Sequence, residues 1–254
     1  MGDGRIARRR VPRCAALMLL AGGYARLARP RMARWGATDD ELADAMPGDG
    51  EIPEPQFAVT RAVTIAAPPE AVWPWIVQIG YHRAGWYAYD LFDNDDIPSA
   101  ETILPEFQHL EIGQVIGEEG FEVRELEAGR HLVLAFHYPK TQWVVKQGVW
   151  PKFGHCSMCL LLRPVRDGER TRLVYRVRLS APLLGRALML AVFEPADFIA
   201  SRKMLTGIKR RAETHDIGRF APVEELRETA APVPGAGEHQ ADGGRPGSRS
   251  AVRG

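Results

Sequence analysis

Between Gly113 and Ser180 the sequence reads as one strand after another. Gln114–Glu118, Phe121–Glu127, His131–His137 and Trp143–Trp150 are each bounded by Gly, Pro or charged turn residues. His155–Val165 and Thr171–Ser180 are longer, and Arg166-Asp167-Gly168-Glu169 joins them. Asp-Gly is the strongest short hairpin signal, because both residues tolerate the positive φ that a tight turn needs. In Thr171–Ser180 the residues Leu173, Tyr175, Val177 and Leu179 alternate with Arg172, Val174, Arg176 and Arg178. One face is apolar and the other is basic and expected to be solvated, as in an antiparallel sheet covered on one side. An earlier strand starts at Phe57. There Phe57, Val59, Arg61, Val63 and Ile65 share one face, and Thr60, Ala62 and Thr64 share the other.

Helical signals sit at the two ends of this run. Pro68-Pro69 marks a helix entry, where a missing N–H costs nothing. The segment Glu70–Ile79 puts Val72, Trp73, Ile76 and Ile79 near one face, with a kink expected at Pro74 and Gly80 as the residue after the helix. Near the carboxyl end, Leu183–Phe193 is apolar on nearly all sides and Pro195 restarts a helix. Phe198, Ser201, Leu205, Ile208 and Ala212 then form a stripe, and Arg202, Lys203, Lys209, Arg210 and Arg211 are expected outside it. Upstream, Thr38 and Glu41 have the spacing of a capping box, so a short helix starts there and ends before Pro47-Gly48. Consecutive strands with segregated helices mean α+β rather than a doubly wound sheet. The expected organisation is an amino-terminal segment over 1–35, a short helix and linker over 36–56, one domain over 57–216, and a tail over 217–254.

Charge separates these parts. Residues 1–35 hold nine arginines against Asp3, a net +8, whereas 36–229 carry 21 bases against 29 acids, a net −8. An acidic body lacks the basic stripe that phosphate binding needs, so no nucleic-acid partner is expected. In the head, RIARRRVPR precedes the apolar run CAALMLLAGGYA. That pattern fits a secretory signal, but arginines also follow it. A basic, apolar helix held at an anionic membrane surface is a second reading, and a frayed end a third. The expected location is therefore cytoplasmic with membrane association through residues 1–35, with export as the alternative. The Gly/Pro/Ser-rich tail cannot bury enough surface to offset its ordering entropy and is expected to be disordered. Three cysteines give no disulfide framework.

Several words in the sequence resemble a known family. Thr64-Ile-Ala-Ala-Pro-Pro-Glu-Ala-Val-Trp73 is similar to the opening of START-like (SRPBCC) domains. Trp35-Gly36-Ala37-Thr38, Pro47-Gly48-Asp49, Gln78-Ile-Gly80, Arg83-Ala-Gly-Trp-Tyr-Ala-Tyr-Asp90, Asp93-Asn94 and Met204-Leu-Thr-Gly-Ile-Lys209 resemble its bacterial polyketide cyclase/dehydrase-like and lipid-transport-like branch. The resemblance covers about residues 30–215. It implies the helix-grip fold, a curved antiparallel sheet around a long carboxyl-terminal helix with a hydrophobic cavity between. That fold hosts carriers and enzymes alike, so function must be argued from the site.

The implied function is binding of a small hydrophobic molecule, lipid- or polyketide-like, as carrier or sensor; an aromatase/cyclase- or dehydratase-type enzyme is the alternative. Candidate cavity walls are Trp73, Trp86, Tyr87, Tyr89, Phe136, Trp143, Tyr175, Phe198 and Leu205, joined by Ile76, Phe121, Trp150 and Ile208. Catalysis would need a positioned acid–base pair, for which Tyr87, Asp90, His137 and His109 are the candidates. His155-Cys156-Ser-Met-Cys159 lacks a second ligand pair, and on a strand its two cysteines face opposite ways, so no metal is expected. Asp90, Asp93, Asn94, Asp95 and Asp96 are read as turn and cap residues, not an EF-hand. There is no phosphate loop, nucleophile elbow or nucleotide fingerprint, and no cofactor is expected. The sequence leaves the oligomeric state open.

Overall fold

The computed structural model describes residues 22–117, 120–137, 155–180 and 193–214. Its strands are β1 (Phe57–Ile65), β2 (Val115–Ile116), β3 (Phe121–Glu127), β4 (His131–His137), β5 (His155–Val165) and β6 (Arg170–Ser180). They form one open antiparallel sheet in the order β1-β6-β5-β4-β3-β2. The first strand pairs with the last over nine residues, from Phe57 opposite Leu179 to Ile65 opposite Thr171. At the β5–β6 turn Asp167 and Gly168 both have positive φ, as the Asp-Gly signal requires. The helices are α1 (Arg29–Ala33), α2 (Asp39–Ala43), α3 (Pro69–Val77), α4 (Asp90–Asp93) and α5 (Glu194–Thr214). Together α5 and α3 cover one face of the sheet. The fold is α+β in the helix-grip arrangement. The head before residue 22, the tail after 214, the strand expected over Trp143–Trp150 and the apolar segment 183–192 lie outside the described residues.

The inner face is built by alternation. Phe57, Val59 and Ile65 of β1, Leu173, Val177 and Leu179 of β6, Leu160 and Leu162 of β5, and Leu132 and Leu134 of β4 are all buried there. Against them lie Met204, Leu205, Ile208 and Ala212 of α5, along the stripe read from the sequence. α3 is buried on every side, with Val72, Trp73, Trp75, Ile76 and Val77 all inside. Such a helix serves as filling between sheet and α5 rather than as a surface element. Gly80 does not end α3; its N–H instead donates to Gly85 O and closes the next loop.

The back face differs from expectation. It is not solvated: residues 36–54 lie across it as a strap. Arg176 is 6% exposed and donates to Thr60 Oγ1, Asp49 Oδ2, Asp44 O and Glu41 O. Arg172 forks onto both oxygens of Glu41, at 2.7 and 2.8 Å, and Arg178 holds Ile52 O and Pro53 O. A small second core of Met46, Ala62, Val133, Cys159, Leu161 and Val174 lies under the strap. At Gly48 a Cβ would stand 2.5 Å from Val133 Cγ1, so only glycine lets the strap lie this close. A basic strand face thus serves as a set of donors for backbone carbonyls and carboxylates, which meet the guanidinium fork in geometry as well as charge.

The capping box at Thr38 forms as expected, with both reciprocal hydrogen bonds present. Its Glu41 therefore closes α2 and receives Arg172 as well. Burial works to raise the Glu41 carboxyl; hydrogen bonds from Arg172 and Thr38 N–H, with the Arg172 and Arg163 charges, outweigh it and hold the pKa below the ordinary value. A carboxylate depressed by folding stabilises the fold above its unfolded pKa of about 4.3 and loses that contribution as pH falls through the lower folded value. Urea melts of the wild type should show this loss below about pH 4.3, and Glu41→Gln, already weaker at pH 7, should lack that component. Arg176→Ala should cost about 1–3 kcal/mol, because it strips the buried Glu41 O and Thr60 Oγ1 of a donor, while Asp49 keeps Met46 N–H and Arg178.

The α5 surface holds a second difference. Arg202, Lys203 and Arg210 are outside as expected, but Arg211 is 6% exposed. It turns inward because the loop after α4 supplies acceptors: Ala100 O at 2.8 Å and Glu101 Oε1 at 2.7 Å. One turn earlier, a Cβ at Gly207 would stand 2.7 Å from Tyr87 O and 2.9 Å from Tyr87 Cβ. In an exposed helix Gly→Ala gains about 1 kcal/mol. Gly207→Ala should instead destabilise by about 1–3 kcal/mol in urea unfolding, and a stabilised variant would contradict the close approach.

Candidate functional site

Among the described residues, the inner face carries one charged side chain in its apolar period. Arg61 of β1 sits between Val59 and Val63 and is fully buried. Its Nη1 donates to Asp197 Oδ2 and Ser201 Oγ, both at 2.6 Å, and its Nε donates to Met32 O at 2.9 Å. The guanidinium carbon lies 5.5 Å from the centre of the Phe198 ring. Nη2 is buried with no hydrogen-bond partner among the described residues. Tyr175, directly opposite Arg61 on β6, shares this environment. Burial first, then the Asp197 charge, pushes the Tyr175 phenol well above its ordinary value, with Arg61 opposing.

Electrostatics at this cluster run against stability. Burial pushes the Asp197 carboxyl up, and the Arg61 charge and hydrogen bond pull it back only in part. A carboxylate whose folded pKa lies above the unfolded one costs stability once both states ionise. Desolvation of a buried pair often exceeds its Coulombic gain. The pair is therefore explained by position and polarity rather than by net stabilisation. Just before it on α5, Glu194 is buried and accepts from Arg29 Nε at 2.9 Å and from the Tyr24 hydroxyl at 3.4 Å. The start of α5 is thus held from the amino-terminal helices as well as from β1.

The expected wall residues divide into four groups. Trp73, Tyr175 and Leu205 are buried on the inner face, and Phe198 is half-buried beside Arg61. Trp86, Phe121 and Phe136 form an aromatic row at the β3–β4 end, with ring centroids 5.6 and 5.8 Å apart. Tyr89 departs from the expectation: it is 39% exposed, with the Lys203 ammonium 3.9 Å from its ring centre. Trp143 and Trp150 lie outside the described residues, as does the side chain of His137. His109 is exposed.

Tyr87 and Asp90 meet through Ser99, but not as an acid–base pair. Ser99 Oγ donates to Asp90 Oδ1 at 2.5 Å and accepts the Tyr87 backbone N–H at 3.1 Å. The Tyr87 phenol points elsewhere, donating to Trp75 O and accepting from Gln78 Nε2. Burial raises its pKa far above the ordinary value, despite the opposing Gln78 hydrogen bond and Arg211 charge. Its proton is committed to a backbone carbonyl, which makes it a packing phenol. Gln78, fully buried, also donates to Thr102 O and accepts from Leu104 N and Gln108 Nε2, so it organises the whole loop.

The acidic stretch does turn work, as read from the sequence. Asp93 Oδ2 accepts Tyr89 N–H at 3.0 Å. Buried Asn94 accepts His82 N–H and donates to Ile97 O. Cys156 and Cys159 do face opposite sides of the sheet: Cys156 packs against the inner core and Cys159 lies in the back core. Burial pushes both thiols up to about 12, with Asp197 adding to the first and Asp49 to the second. Neither thiol is a nucleophile at neutral pH. Arg61 is the site residue that the reading of the sequence passed over. Its signal was present: an arginine in the middle of an apolar period-2 face must be buried, and a buried cation must be paired.

No family model matches the chain, and no curated protein does. Among solved structures, a protein of Mesorhizobium loti is similar over 63% of this chain and all of its own, at 15% identity and TM-score 0.40. A protein of Nitrosospira multiformis is similar over 62% of this chain and 97% of its own, at 13% identity and TM-score 0.36. DynU16, from the dynemicin biosynthetic locus, is similar over 60% of this chain and 47% of its own, at 15% identity and TM-score 0.35. At such TM-scores nothing about this chain rests on them.

Proposed function

We propose that this chain is a START-like (SRPBCC) protein that holds a small hydrophobic molecule between the inner face of the sheet and α5, as a carrier or sensor. Binding sites of this kind need apolar walls and a few convergent polar groups. Leucines and valines of β4, β5 and β6, with Leu205 and Ile208 of α5, offer the walls. The single observation that carries the reading is Arg61: a fully buried cation on an apolar face with one terminal nitrogen unpartnered among the described residues. A buried donor without an acceptor costs about 1–3 kcal/mol, and a ligand oxygen would recover it. Asp197 already balances the Arg61 charge, so a carboxylate there would be a buried anion without a counter-charge. The ligand that fits is apolar with a neutral acceptor oxygen, such as a ketone, ester or hydroxyl.

Extraction of the natively purified full-length protein followed by mass spectrometry should recover one class of apolar, oxygen-bearing molecule near one per chain. Recovery of none, together with no saturable uptake of Nile red, would sink the reading. Arg61→Met alone should cost about 3–5 kcal/mol by leaving Asp197 without its partner. Arg61→Met combined with Asp197→Leu removes both charges and should regain most of that stability. It should still bind the extracted molecule at least about tenfold more weakly than wild type, the loss of about one charged hydrogen bond. Wild-type affinity in the double variant would remove Arg61 from the site.

A further inference from the structure

On the far side of the Tyr87 loop a half-open cleft of about 470 Å³ lies between that loop and α5. Its volume falls within the range of small-molecule pockets. Three sequence words unexplained by the inner site meet there. Tyr87 and Asp90 come from the Arg83–Asp90 word, Gly207 from the Met204–Lys209 word, and the Gln78 word holds the Tyr87 phenol behind the wall. The wall is rigid. Tyr87 has φ +57°, a strained value for a residue with a side chain, and its backbone presses on Gly207.

The charges of this cleft do not balance. Among the described residues Lys203, Arg210 and Arg211 line it against Asp90 and Glu101, and Asp93 acts on Lys203 from outside the lining. Both guanidiniums share one oxygen, Glu101 Oε1, each at 2.7 Å. Arg211 is otherwise occupied with Ala100 O, Gly207 O and the Tyr87 ring. Arg210 is 60% exposed, and Glu101 Oε1 is its one hydrogen-bond acceptor among the described residues. Lys203 has no hydrogen bond or ion pair among the described residues; its ammonium rests over the Tyr89 ring. These two cations, seven residues or about two turns apart on one helix, both line the cleft.

We propose that this cleft binds the anionic end of a small organic molecule, a carboxylate or a phosphate monoester, between Lys203 and Arg210. A carboxylate matches the single surplus charge of the lining, and a phosphate monoester, at about −1.5 to −2 near pH 7, more than matches it. The volume leaves room for an organic body, which an inorganic ion would not fill. The proposal is independent of any ligand on the inner face, since none of its groups belongs to the Arg61 cluster.

The test is a titration of ¹⁵N-labelled full-length protein with phenyl phosphate, with benzoate and with inorganic phosphate, at constant ionic strength. At least one organic anion should produce saturable shifts at Lys203, Thr206, Gly207 and Arg210, at least about tenfold tighter than inorganic phosphate. Lys203→Gln with Arg210→Gln should weaken that binding at least about tenfold while leaving the thermal midpoint unchanged, because both side chains are exposed. Shifts scattered over the surface, inorganic phosphate binding as tightly as both organic anions, or a double variant that titrates like wild type would each overturn the proposal.

Discussion

Arg61 is the contact on which the inner half of the molecule depends. One guanidinium joins β1 to the carbonyl of Met32 in α1 and to Asp197 and Ser201 on α5. Buried charges persist only when paired and hydrogen-bonded, so these elements cannot separate without exposing a charge or stranding one. That requirement locates the beginning of α5 over β1, and hydrophobic packing of Leu205, Ile208 and Ala212 then carries the helix along the sheet. Glu194, paired with Arg29, repeats the arrangement one turn earlier. The amino-terminal helices are in this way part of the body, not an appendage to it.

The sheet is held from both sides by different physics. Its inner face is packed by apolar side chains, a non-directional attraction proportional to area. Its back face is packed mainly by directed hydrogen bonds from Arg172, Arg176 and Arg178 to the strap. Arginine suits this role because its planar fork meets carboxylates and carbonyls while its stem covers apolar surface. A strand of alternating leucine and arginine thus becomes central to two layers. The arrangement also explains why residues 36–56 do not behave as a linker: their backbone carbonyls are the acceptors that the back face needs.

Much of the architecture was legible in the sequence. Turn residues located β3, β4 and β5 to the residue, Asp167-Gly168 located the β5–β6 hairpin, and the Thr38/Glu41 spacing located α2, since each of these signals is local. The same locality explains the misreadings. Alternation shows which side chains share a face but not what lies against that face, so the basic side of β6 read as wet. Helical spacing placed Arg211 with its basic neighbours, but the acceptors that draw it inward come from Ala100 and Glu101, over a hundred residues earlier. Tyr89 read as a wall residue because aromatics are usually inside, yet it sits at 39% exposure under Lys203.

By itself the sequence determined the α+β class, the strand order along the chain, the helix stripe and the charge division between head and body. These depend on residue type and spacing alone. Only the tertiary structure decided that a strap covers the arginine face, that Arg61, Asp197 and Ser201 form one cluster, and that Lys203 and Arg210 share a cleft with the Tyr87 loop. Those facts are pairings between residues far apart in the chain. Partner choice for a buried charge is set by geometry after folding, and no local spacing encodes it.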